Sequence, residues 1–141
     1  MSGFIGKYLE NGLGNLFYFL FRSIVGLLFM QYGAQKLFGY LGGAGGSGGS
    51  VELMSLMGLA GIIEFFGGLA VFLGLFTRLF ASIASVEMLI AYFMAHFPQN
   101  FFPVLNKGDL ALMFFVSFLI IAKYGAGKWA LEKVFREEEL F

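Results

Sequence analysis

From Leu53 to Phe76 the chain runs 24 residues with one ionisable side chain, Glu64. A run of that length and polarity spans the hydrocarbon layer of a membrane, which takes about 20 residues of helix. Backbone in lipid must satisfy its own hydrogen bonds, so a lone spanning segment has to be helical. Three more segments fit the pattern. Leu13 to Phe38 is interrupted by Arg22, Gln31, Gln35 and Lys36, and is too long and too late-charged for a cleaved leader. Leu79 to Phe97 carries Glu87 and ends around His96. Leu110 to Ala122 offers thirteen uninterrupted uncharged residues, all but Ser117 apolar, with Lys107 and Lys123 placed to snorkel at its ends. Four spans need about 80 apolar residues, and 59% of 141, about 83, are hydrophobic. The expectation is one all-α domain, a four-transmembrane-helix bundle with spans at about 13–38, 53–76, 79–97 and 106–124.

Counting closes other routes. There is no cysteine, which removes disulfides, thiolate zinc sites, iron–sulfur ligation, covalent c-type haem attachment and thiol relays from this chain. Redox chemistry would need a bound cofactor or a partner. Nine Lys plus Arg balance nine Asp plus Glu, so no basic field for nucleic acid exists.

Asn106 and Asp109 stand where an N-cap and an acidic third position would start the last helix. Gly125 and Gly127 stop it. Trp129, Leu131, Val134 and Phe135 among Lys128, Lys133 and Arg136 then predict a short interfacial helix. The glycine-rich loop 41–50 lacks the Gly-Lys-Ser/Thr ending of a phosphate loop and is expected to be a flexible linker. Phe97, Phe101 and Phe102, around Pro98 and Pro103, resemble an aromatic belt at headgroup depth. An even number of spans puts both termini on one side. That side collects Lys7, Arg78, Lys128, Lys133 and Arg136, against chiefly Lys36 and Lys107 on the other, so both termini are expected in the cytoplasm.

Charges held inside lipid need a reason, and function is the default hypothesis. Three qualify: Arg22, Glu64 and Glu87. Small residues share their faces: Ala60, Gly61, Gly67 and Gly68 around Glu64, Ala84 and Ala91 around Glu87, and Gly26 and Gly33 around Arg22, which signals close helix contact. Counted from the cytoplasmic starts of their spans, Arg22 and Glu87 lie at similar depth, which makes them the expected ion pair. Glu64 leans toward the outer half, where Gln31, Gln35 and Lys36 lie, and Lys36 is within reach of it. An acid left without a cation is the easier one to carry neutral, and so a candidate proton site. The competing reading is an ion-pair and hydrogen-bond network that fixes helix register. His96 lies nine residues from Glu87, about 13.5 Å along an unbroken helix and on its opposite face, so the two are not expected to share a metal. His96 is read as interfacial, and neither haem nor a metal is expected within this chain. Phe-lined grooves between helices suit a quinone ring and tail.

Several stretches resemble the DoxX family of small prokaryotic four-helix membrane proteins. They are Arg22-x-x-x-Gly26 with Tyr32-Gly33-Ala34-Gln35-Lys36-Leu37-Phe38-Gly39, and Glu64-x-x-Gly67-Gly68 leading to Gly74-Leu75-Phe76-Thr77-Arg78. Glu87 ahead of Ala91-Tyr92-Phe93, and Asn106-Lys107-Gly108-Asp109-Leu110-Ala111-Leu112, complete the set. The similarity covers roughly residues 16 to 131. Many similar proteins carry histidine where Tyr32 stands and glutamate where Asp109 stands. The resemblance implies a multi-pass protein of the prokaryotic cytoplasmic membrane and a link to membrane oxidoreductases, including a quinone-linked thiosulfate oxidoreductase subunit.

Three functions compete. In the first, an oxidoreductase subunit holds a quinone or similar hydrophobic redox partner at an Arg22, Glu64 and Glu87 cluster, with Gln31, Tyr32, Gln35, Lys36, Gly67 and Gly68 around it. One carboxyl then exchanges the proton that accompanies electron transfer. In the second, the chain is a non-catalytic accessory or assembly subunit that docks on other membrane subunits or on itself. The third, a proton-coupled transporter, is disfavoured by the lack of evident inverted repeats or broken midspans.

Overall fold

The computed structural model describes residues 12–44 and 48–135, and every regular element among them is helical. Helix α1 is Gly12–Phe38, α2 is Leu56–Leu73, and α3 is Thr77–Ala91, which continues into a π turn at Tyr92–His96. A short α4, Pro103–Asn106, precedes α5, Asp109–Tyr124, and the chain folds back through α6, Leu131–Phe135. By length and composition three segments can cross a membrane: Gly12–Phe38, Leu56–Leu73 and Thr77–His96. Helix α5 has 16 residues, or about 24 Å of rise, shorter than a full hydrocarbon layer.

The start of α5 differs from expectation. Asn106 does not cap it. Its Oδ1 accepts from the Gly108 N–H at 2.7 Å and its Nδ2 donates to the Asn100 carbonyl at 2.8 Å, so it braces the preceding loop. Lys107 then turns left-handed at φ 62°, and the helix begins only at Asp109. The glycine-rich segment also departs from a slack linker. Its described residues close on themselves through Gly48 N–H to Gly42 O (2.7 Å) and Ala44 N–H to Gly49 O (3.0 Å).

Local signals set the α2 boundaries. Ser55 caps the helix by accepting from Gly58 N–H at 3.1 Å. Gly74 ends it in the left-handed conformation, φ 77°, donating its N–H to Ala70 O at 2.9 Å. A side chain at Gly74 would also strike Ala130, which the returning tail lays against it.

Helix α1 packs along α2, α3 packs along α5, and α2 and α3 join the two pairs. Between α1 and α2 the backbones touch. A methyl on Gly26 would sit 2.6 Å from Phe72 N, one on Gly33 would collide with the backbone of Phe65, and one on Gly68 with that of Met30. The partners run antiparallel, 26 with 72, 30 with 68 and 33 with 65. Such close approach is how helices associate where lipid removes the hydrophobic drive between them. Helices α1 and α5 meet instead through rings, Phe29 lying 4.6 Å from Phe118 and 5.4 Å from Phe114. The core gathers Phe29, Val71, Ala84, Met88, Phe118 and Ile121, while Leu28, Phe66, Val86 and Val116 point outward. Apolar residues face out from every long helix, as lipid contact requires.

Gly33→Ala is expected to lower stability by about 1–3 kcal/mol through overpacking. Gly67→Ala, whose methyl would meet only side-chain carbons at 3.8–3.9 Å, should be tolerated. Thermal unfolding in detergent checks the pair, and equal midpoints would remove the close-packing account.

Candidate functional site

Lys36, near the end of α1, donates to Glu64 Oε1 at 2.5 Å. The carboxylate is almost wholly buried, at 2% exposure, and the lysine partly so, at 19%. The sequence arranges this contact locally. Helix side chains lean toward their own N-terminus, so Lys36 leans back along α1. The lysine stem crosses α2 at Gly61, where a methyl would lie 3.0 Å from Lys36 Cβ. One turn further along α2 its ammonium meets Glu64.

Glu87 on α3 is a second buried acid near this pair, close enough for its charge and those of Glu64 and Lys36 to act on one another. One oxygen of each, Glu64 Oε2 and Glu87 Oε2, is buried without a hydrogen-bond partner. The site therefore joins one cation to two acids, with spare acceptor capacity facing inward.

Two spaces flank the pair. Glu64 and Lys36 line a cavity of about 290 Å³, floored by Phe29, Met88 and Phe114 and reaching Tyr32, His96 and Lys107. Glu87 lines a different space, a groove of about 670 Å³ between α2 and α3, walled by Ala60, Ile63, Ile83, Val86 and Ile90. Apart from Glu87 and Ser82 the groove's residues are apolar.

Arg22 is not in this cluster, and the expected Arg22–Glu87 pair is not formed. Its guanidinium donates to Val71 O (2.6 Å) and Phe72 O (3.1 Å) at the end of α2, and to Trp129 O (2.7 Å) in the tail. It also lies 5.6 Å from the ring centre of Phe19. The depth count failed because it assumed that α1 and α3 start at one level. Residues 12–22 of α1, about 15 Å of helix, extend past the turn that joins α2 to α3, so Arg22 stands level with that turn. There it serves the unsatisfied carbonyls and negative dipole end of α2 and ties down the tail.

The other expected residues divide. Tyr32 is at the cavity's exposed rim. Gln31 faces outward, and Gln35 donates to Leu41 O at 2.8 Å, bracing the loop after α1. Gly67 and Gly68 are helix-contact positions, Gly68 against Met30 and Gly67 near Phe29 and Phe80.

His96 moves the other way. On an unbroken α-helix it would oppose Glu87, but Phe97 N–H bonds to Tyr92 O, five residues back, at 2.9 Å. The widened turn shifts the angular phase of the residues beyond it. His96 lines the cavity beside Glu64, with Nδ1 donating to Asn106 O at 3.1 Å. Lys107 joins it from the loop. Hydropathy carries no mark of a π turn, so sequence reasoning did not bring these two to the cavity.

Residues 17–97, more than half of the chain, match the DoxX family, and the protein belongs to it. The matched region contains Arg22, Lys36, Glu64, Glu87 and His96 but stops before Lys107. A Haemophilus influenzae protein described as uncharacterized is 46% identical over 77 residues, covering 52% of this chain and 58% of its own length. This chain thus spans less than two thirds of that relative. No solved structure matches the chain.

Removing one partner of a buried ion pair is costly, typically about 3–5 kcal/mol, because it strands the other charge. Lys36→Met should therefore destabilise strongly, and Lys36→Met with Glu64→Gln should recover most of the loss. Denaturation of both variants in one detergent measures the difference; a double variant as unstable as the single would show that the pair is not what Lys36 contributes.

Proposed function

We propose that this chain is a small integral subunit of a membrane oxidoreductase that binds a quinone, or a similar lipid-soluble redox partner, in the groove between α2 and α3. The observation that carries the reading is the groove itself. It is apolar and of ligand size, and Glu87 is the single carboxyl along it. A molecule with an extended apolar tail and a hydrogen-bonding head matches that distribution. Glu87 would bond the head and exchange its proton as a general acid or base. Lys36 and Glu64 hold Glu87's surroundings in place. A quinone supplies the electron-carrying chemistry when bound. With no cysteine in the chain, the electrons come through a partner subunit.

The same reading makes α5 a fourth span and puts both termini in the cytoplasm of a prokaryotic cell. Two arrangements support it. Arg78 and Lys128 lie at the end of the α2–α3 turn and the tail, whereas Lys36 and Lys107 lie at the other end, the asymmetry expected of cytoplasmic and outer faces. Exposed Phe97, Phe101 and Phe102 meet edge-on in succession, 6.0 and 5.4 Å between ring centres, where a headgroup layer would meet the Lys107 end.

Protein taken from native membranes with its lipid shell should carry quinone, and Val86→Trp, which fills the groove, should lose it while remaining folded. Wild-type protein consistently free of quinone would end this reading. Because the chain lacks cysteine, single replacements test orientation cleanly: in intact cells, stripped of any outer membrane, an impermeant maleimide should label Ser50→Cys and spare Ser2→Cys.

A further inference from the structure

We propose that Glu87 and Glu64 form a two-carboxyl proton relay joining the lipid-side groove to the polar cavity, so that protons enter and leave only at the Lys36 and Lys107 end. The occupant of the groove rests on the proposed quinone function; the relay rests on the two spaces and the acids between them. Glu87 lines the groove and Glu64 the cavity. The two spaces meet at the acids: Ala91 lines both, Ile63 and Glu87 face the groove while their neighbours Glu64 and Met88 face the cavity, and each carboxyl has a buried oxygen without a partner.

One-sidedness comes from the rest of the interior. Toward the Arg22 end it is closed by Phe29, Val71, Ala84, Phe118 and Ile121, none more than 1% exposed. Toward the other end the cavity leads past His96 to the exposed rim of Tyr32, Lys107 and Leu110. The titratable groups facing the acids come from three places: Lys36 and Tyr32 from α1, His96 from the π turn, and Lys107 from the loop before α5. Helix α5 adds only apolar residues to the cavity.

The step moves one proton and no electrons. The O–H bond of a protonated Glu87 breaks as an O–H bond forms on ionised Glu64. Glu64 then releases its proton to water in the cavity, and Glu87 takes another from a hydroxyl in the groove. The Lys36 ammonium offsets whichever carboxylate is charged, so one mobile proton leaves the trio neutral. Two adjacent carboxyls sharing a proton avoid the repulsion of two like charges.

Carbodiimides, which react with protonated carboxyls, test this in liposomes holding uniformly oriented protein without added quinone. Dicyclohexylcarbodiimide, arriving through the bilayer, should modify Glu87. A water-soluble carbodiimide should modify Glu64 when added on the Lys107 side and leave it unmodified when added on the Arg22 side, as read by mass spectrometry of peptides. Deuterium exchange of the Glu87 carboxyl, followed by infrared spectroscopy, should slow on the order of a hundredfold in Lys36→Met with Glu64→Gln, the lower range for a positioned proton-transferring side chain. Leu110→Trp, at the rim, should slow it as well without disturbing the ion pair. Equal labelling from both faces, or exchange unchanged in both variants, overturns the relay. Side-specific labelling in protein that never binds quinone upholds the relay and removes only its proposed occupant. Quinone retained with labelling equal from both faces removes the relay alone.

Discussion

The approach of α1 to α2, backbone against backbone, sets the geometry of everything polar in this protein. Four glycines, Gly26, Gly33, Gly61 and Gly68, remove the side chains that would hold the helices apart. In lipid, where apolar surfaces gain nothing by leaving water, such contact supplies van der Waals energy instead. It also decides electrostatics. An ammonium and a carboxylate recover their desolvation cost only at short range and in good geometry, and the stem of Lys36 reaches Glu64 because Gly61 leaves it a path across α2.

The polar groups sort into two stations separated by a dry core. At one, Arg22 binds three backbone carbonyls and joins α1, the end of α2 and the tail. The planar guanidinium suits this work, since its fork of donors satisfies several acceptors without changing charge. At the other, Lys36 pairs with Glu64, Glu87 lies nearby, and both acids retain unused acceptors. The first station directs its donors at the backbone, whereas the second borders both a cavity and a groove with carboxyl oxygens to spare. Anchoring thus falls to the arginine, and the proposed exchange to the carboxyls.

Hydrophobic run length made α1, α2 and α3 legible from sequence alone, because only spanning helices need such runs. Gly61 and Gly68 near Glu64, and Gly26 and Gly33 on the Arg22 face, correctly marked close contact, whereas Ala60 and Ala91 border open space; the leaning of helical side chains pointed Lys36 toward Glu64. Arg22 was misplaced for a geometrical reason: counting along separate helices gives relative depth only when their ends are level, and α1 overshoots. The cavity position of His96 was not legible, because the count assumed 3.6 residues per turn through a segment that widens. The pocket residues Gln31 and Gln35 were proposed from proximity in sequence, and on a helix neighbours in sequence point in different directions.

The widened turn at Tyr92–His96 has a broader meaning for how this chain can change. A π turn is an ordinary helix that has accommodated one surplus residue. Deleting a single position there would restore regular winding and swing His96 by about 100°, taking the loop of Asn106 and Lys107 with it. Loop length beyond Phe97 is thus the tolerant variable, while the five residues before it act as a phase setting that evolution can alter only in whole steps.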